Sequence, residues 1–263
     1  MCFSFFLWAT RVSVCTIALC IASIWDIRHR EIPDRVWAIS TPVNLVLLIW
    51  ELMLDPSDLP LVLISISITC LTSLLIYYSG LAGGADAKAL ALMAVSCPIN
   101  RHEPLFSSHP FVPMMAFSNA LLFSISSSLL ILMKNLAWKL RTKRPLFEGL
   151  EAPPVVKILA LLSGYKIRLK DLPKTKFVFP MEVFIEEDGR VRRKLGLVVK
   201  VGDYADLEGL LRSGVDLPDY IWVSPGLPMV VFLTAGFVSA ITLGDLLFHL
   251  LFSLLKLILP FQG

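Results

Sequence analysis

Runs of about twenty apolar residues, repeated along the chain, constrain this sequence more than any other feature. A stretch of that length matches the hydrocarbon core of a bilayer. The runs are Cys2 to Ile24, Val36 to Leu54, Leu59 to Tyr78 and Phe111 to Met133. A shorter one covers Ala85 to Ser96, and a last one Pro228 to Pro260. Hydrophobic residues make up 56% of the 263 positions and charged residues only 17%, where a soluble domain carries about a quarter charged. The expected fold is a polytopic α-helical membrane protein of about six transmembrane helices. The first run does not read as a cleavable signal, because it continues past Arg11 and no small-residue cleavage site precedes the polar segment.

Between the runs, basic and non-basic connections alternate. Arg28 to Arg35 is basic, Asp55 to Asp58 has no base, and the segment after Met133 carries Lys134, Lys139, Arg141, Lys143 and Arg144. Lysine and arginine mark cytoplasmic loops, so the first and third of these face the cytoplasm and both ends of the chain lie outside. The net charge of +3 is spread over these anchors and does not suggest nucleic acid as a partner.

One polar block interrupts the pattern. It divides the chain into a membrane core (residues 1–138), a small cytoplasmic α/β domain (139–224) and a C-terminal transmembrane segment (225–263). In the block, Phe177 to Ile185 reads as a strand rich in aromatic and β-branched residues. Glu187-Asp188-Gly189-Arg190 reads as a hairpin turn and Leu195 to Val201 as the return strand. Tyr204 to Arg212 reads as a helix and Tyr220 to Val223 as a strand. No phosphate-binding glycine loop and no metal-ligand spacing occur, so the block is expected to be a cap or docking platform. The five cysteines form no C-x-x-C pair and read as small apolar fillers.

Two aspartates stand where carboxylates are costly. Asp26 ends the first run, and Asp86 follows the third in Gly83-Gly84-Ala85-Asp86-Ala87-Lys88. Ionisable groups beside hydrocarbon are functional candidates by default. The loop alternation puts both at one membrane face. An anion at a helix C-terminus opposes the helix dipole, which gives Asp26 no evident structural reason. Asp86 after two glycines has the form of a helix N-cap. Two carboxylates a few ångströms apart share a proton: the charged one takes a proton from water, and the neutral one protonates a scissile carbonyl. Such a pair hydrolyses a peptide bond without cofactor or metal. A presenilin-like protease acting deeper in the bilayer is a second reading. A proton- or cation-coupled carrier or assembly factor is a third, although carriers place such groups near the midplane.

Asp26-Ile27-Arg28-His29-Arg30-Glu31-Ile32-Pro33-Asp34, together with the Gly83 to Lys88 segment, resembles the type IV prepilin peptidase family. These are membrane aspartyl proteases of the GxGD class, and the likeness is greatest to the archaeal preflagellin and prepilin peptidases. Ala85 replaces the second glycine of the class name, as the archaeal branch allows. The resemblance implies that Asp26 and Asp86 are catalytic, with Gly83, Gly84 and Ala85 shaping the loop before the second. It also implies that the substrates are class III signal-peptide precursors (archaellins and pilins), cut at the cytoplasmic face. Many bacterial members also methylate the new N-terminus; this chain lacks their paired C-x-x-C, so methylation is not expected. Lys88 reads first as a lysine snorkelling to the interface, with holding substrate or tuning Asp86 as its second reading. Pro33 and Asp34 are expected to open the second helix. Asp245, next to Gly244 inside an apolar run, is expected to cap a helix that restarts after a kink. His29 reads as an interfacial loop residue.

Overall fold

The structure is a computed structural model, and it describes residues 2–79, 83–101, 104–106, 108–187, 190–196 and 218–258. Two compact units emerge. One comprises Met1–Ser124 with Pro228–Gly263, and the other Ile125–Leu227.

The first unit is helical: α1 (Cys2–His29), α2 (Asp34–Leu54), α3 (Leu59–Tyr78), α4 (Gly84–Ser96), the first part of α5 (Val112–Thr142), α7 (Met229–Thr242) and α8 (Leu246–Ile258). Four of these, α1, α2, α3 and α5, are long and apolar enough to cross a membrane. They carry exposed apolar side chains such as Ile39, Val46, Leu63, Leu71 and Leu130, the surface a bilayer covers. The chain is a membrane protein with a small α/β region. Length alone does not give α4, α7 or α8 a crossing, since none reaches the span of about 20 residues.

Small residues let these helices pack closely. Trp8, Leu19, Ala22, Leu90, Met93, Met115, Ala116, Leu233 and Phe237 form one buried cluster. A Cβ on Gly236 of α7 would stand 2.2 Å from the Ala116 carbonyl oxygen and 2.9 Å from the Ala120 nitrogen, so only glycine permits this contact of α7 with α5. Between α7 and α8, Gly244 has φ +96°, and a Cβ there would meet the Phe106 carbonyl at 2.1 Å. The apolar run is interrupted at this point, between Thr242 and Leu246. Asp245 follows Gly244 and accepts from the Phe248 N–H at 3.0 Å, which makes it the cap of the restarted helix.

The first unit also buries a charge cluster at the end of α1 remote from Asp26. Glu51 of α2 pairs with Arg11 of α1 and with Arg101 at 2.6 Å. Arg11 also donates to the Ser96 carbonyl at 2.7 Å, and Arg101 reaches Asp58 at 3.3 Å.

The second unit contains the end of α5, α6 (Pro154–Ser163) and two three-stranded sheets, in the orders β1-β5-β4 and β2-β6-β3. The strands are β1 (Leu150–Glu151), β2 (Tyr165–Arg168), β3 (Val178–Pro180), β4 (Glu182–Glu187), β5 (Arg190–Leu195) and β6 (Tyr220–Pro225). The strand expected over Phe177 to Ile185 is two strands, β3 and β4, which belong to different sheets. Pairing of Glu187 with Arg190 leaves a two-residue loop at Asp188-Gly189, which lies outside the described residues. The return strand is β5, not Leu195 to Val201. A two-residue turn starts the return strand at once, and Leu195, the last residue of Arg190-Val191-Arg192-Arg193-Lys194-Leu195, is buried. The helix expected at Tyr204 to Arg212, like Gly196's successors up to Val201, lies outside the described residues. Trp222 stacks on Phe147 with ring centroids 4.9 Å apart. Its backbone N–H donates at 2.7 Å to Glu182, which Arg193 holds at 2.7 Å.

Candidate active site

The last turn of α1 and the first turn of α4 bring Asp26 and Asp86 into one buried neighbourhood. Their residues are 8% and 9% exposed, and Asp86 lies within electrostatic reach of the Asp26 charge. Each carboxylate is held by a backbone N–H. Asp86 is not the N-cap of α4. That helix begins at Gly84, so Asp86 is its third residue, and its Oδ2 accepts from the Gly83 N–H at 2.9 Å. The pattern of a glycine pair before an apolar run hid this, because the second glycine is itself helical. Ser73 of α3 donates to the Ala87 carbonyl at 2.8 Å and fixes the first turn of α4.

The sequence suggested no structural partner for Asp26. The structure supplies one from 204 residues away: the Val230 N–H, at the start of α7, donates to Asp26 Oδ2 at 3.2 Å. An anion facing a helix N-terminus is stabilised by the unpaired N–H groups and the dipole. This offsets the unfavourable position of Asp26 at the end of its own helix. One turn earlier, the Ser23 and Thr234 hydroxyls meet at 2.7 Å and hold α1 on α7. Arg30 closes α1 in the left-handed region, with φ 59°, and its guanidinium lies 3.9 Å from Asp26 Oδ1.

The remaining candidates surround this pair unequally. A Cβ on Gly83 would meet nothing nearer than Asp86 Oδ2 at 3.6 Å, and one on Gly84 nothing nearer than the Tyr77 ring at 3.6 Å. Both distances are ordinary contacts, so internal packing does not demand either glycine. Ala85 packs partly buried against the core. Lys88 turns away from the pair to Asp34, whose Oδ1 its Nζ approaches at 2.5 Å. That contact ties α4 to the first turn of α2, where Asp34 stands behind Pro33 as expected. His29 ends α1 and lies tilted against the Trp25 ring, with centroids 4.8 Å apart. Asp245 belongs to a separate cluster with Ser108 at 3.0 Å and Ser118 at 3.1 Å. Among the described residues no group of three histidine, cysteine or carboxylate side chains is placed to hold a metal ion.

Two family models match the chain in succession. The type IV leader peptidase family covers residues 13–133, which includes both aspartates. The C-terminal domain type II of archaeal A24 peptidases covers residues 156–246. The chain belongs to the type IV leader peptidase family. Curated relatives match along nearly all of this leader peptidase. A preflagellin peptidase of Methanococcus voltae is 24% identical over 254 residues, covering 93% of this chain and 96% of its own. One of Methanocaldococcus jannaschii is 26% identical over 239 residues, covering 87% and 92%. The family's A24 peptidases are hydrolases, so the chain is an enzyme, and a buried carboxylate pair is consistent with an aspartic mechanism.

Proposed function

We propose that this leader peptidase removes class III signal peptides from archaellin- and pilin-like precursors at the cytoplasmic membrane face, with Asp26 and Asp86 as its acid–base pair. The observation that carries the reading is the burial of two carboxylates within electrostatic reach of one another, in the last turn of α1 and the first turn of α4. Two such groups cannot both ionise freely, so one proton is shared between them. The charged carboxylate accepts a proton from water as the water attacks the scissile carbonyl carbon. The protonated one donates to the carbonyl oxygen. Collapse of the tetrahedral intermediate then delivers a proton to the leaving amine and restores the pair. Gly83, Gly84 and Ala85 present little side chain in front of Asp86, and this suits an extended substrate backbone approaching closely. The names of the relatives, preflagellin peptidases, support the choice of precursor.

Six crossings accommodate this reading: α1 to α5, and α7 with α8 as one kinked segment. The polar domain of residues 139–224 and both aspartates then face the cytoplasm, in keeping with the basic loops.

Replacing each aspartate by asparagine tests the pair. Asparagine keeps a side-chain oxygen to accept the Val230 N–H at position 26 and the Gly83 N–H at position 86. Either single variant inserts, folds and loses cleavage, and the double variant is little worse than either. Normal cleavage by Asp86→Asn sinks the proposal, because residue 86 then serves only the start of α4.

A further inference from the structure

A basic groove in the second unit is unused by the hydrolytic reaction. It has a volume of about 420 Å³ and lies between the last turns of α5 and the β2 strand with the turn that follows it. Lys134 and Arg141 enter from α5, and Lys166 and Arg168 from β2. Asp171 is the one carboxylate among its lining residues. Among the described residues, none of the four cations has a carboxylate within 4 Å. The two lysines lie on aromatic rings instead: Lys134 Nζ is 3.2 Å from the Tyr165 ring centroid and Lys166 Nζ is 4.7 Å from that of Trp138. Tyr220 lines the same groove and bonds Arg168.

The depth of the groove follows from α5. Its apolar stretch from Val112 to Met133 runs about 33 Å at 1.5 Å per residue, enough to cross the hydrocarbon core. Lys134 to Arg141 covers about 10 Å more, enough to pass through one headgroup layer. Trp138, Tyr165 and Tyr220 are the residue types that favour this level. Burial lowers the pKa of the Lys166 ammonium, with Glu182 acting the other way; a bound anion would compensate the lost hydration. The basic leader expected of the substrate has the same sign as the groove and is no ligand for it.

We propose that this groove binds a phosphate group, carried by the headgroup of an anionic phospholipid at the interface where α5 leaves the bilayer. Two cations on α5 and two on β2 then clamp one anion, and the lipid fixes the second unit's strands against the end of the spanning helix. This site is independent of the aspartate pair.

Full-length protein released from nanodiscs of equimolar phosphatidylglycerol and phosphatidylcholine, followed by native mass spectrometry, tests the assignment. The expected result is retention of phosphatidylglycerol in preference to phosphatidylcholine. The Lys166→Gln/Arg168→Gln variant is expected to bind it roughly thirtyfold more weakly, from the usual contribution of two interfacial cations. Lys170→Gln, an exposed lysine outside the groove, removes one charge and is expected to leave retention unchanged. Leader cleavage in detergent reports that each variant is folded. Inorganic phosphate is titrated in parallel. If it displaces the lipid at equal concentration, the phosphate site stands and the lipid source is overturned. Equal retention of both lipids, or retention that the double variant does not weaken, overturns the site itself.

Discussion

Replacing Glu51 by leucine is the sharpest stability test of the membrane core. Glu51 is 1% exposed and Arg11 is 2% exposed, and Arg11 lies 15 residues before Asp26, about 22 Å along α1. That separation is most of the roughly 30 Å thickness of a hydrocarbon core. Glu51 accepts from Arg11, from Arg101 at 2.6 Å and from Ser4 at 3.3 Å. Without it, Arg11 keeps only the carbonyls of Ser96 at 2.7 Å and Val95 at 3.4 Å, and its charge stays buried. Arg101 is spared, because its partly exposed side chain retains Asp58. Removing one member of a buried ion pair costs about 3–5 kcal/mol, and replacing both by apolar residues is close to neutral. Glu51→Leu is accordingly expected to lose about 3–5 kcal/mol, and Arg11→Met/Glu51→Leu to recover most of it. Equilibrium unfolding in mixed detergent micelles, run as a double-mutant cycle, measures both. A Glu51→Leu protein as stable as the parent refutes the reasoning. So does a double variant as unstable as the single one, since the loss would then lie in packing and not in the stranded charge.

Four further outcomes are expected. Gly236→Ala puts a Cβ against the α5 backbone and should cost about 1–3 kcal/mol by overpacking, whereas Gly84→Ala should leave the unfolding curve in place; equal curves for both would refute the close approach of α7. Cleavage should follow a bell-shaped pH profile, because rising pH removes the shared proton and falling pH adds a second; a rate that only rises with pH points to another nucleophile. Chelation by EDTA should leave cleavage intact, since the carboxylates alone activate water, and loss of activity restored by zinc would overturn the pair. With maleimide added from outside, a cysteine at Ser57 should be labelled and one at Lys174 should not; labelling at 174 would reverse the proposed orientation.

The membrane helices and the carboxylate pair were legible because their signals are local. Each run of apolar residues reports its own helix, and a charge at its end stands out against it. What escaped are contacts between distant segments. Arg11 inside the first run gives no hint that its counter-ion is Glu51 on the next helix. The exception among basic segments is α5, which stays helical through Lys134 to Thr142 although its composition there reads as a loop. Those residues are good helix formers, and Asn135 donates to the Leu161 and Gly164 carbonyls at 3.0 and 2.7 Å, so packing extends the helix beyond the apolar run. In the α/β region the register went astray at Leu195, where a polar strand with four basic residues carries too little apolar alternation to announce itself. Lys88 read as a snorkelling lysine because Asp34, its partner, is 54 residues away.

The bond from the Val230 N–H to Asp26 sets an order on the making of the enzyme. Both aspartates leave the ribosome within the first third of translation, with α1 and α4 ready to insert. The donor that steadies one of them is synthesised only after the whole polar domain has been made. Until α7 arrives, Asp26 faces the unfavourable end of its own helix with only the Arg30 guanidinium, 3.9 Å away, to offset it. A growing chain thus carries both carboxylates without their final setting, and the last helices complete a neighbourhood whose acids lie near its beginning.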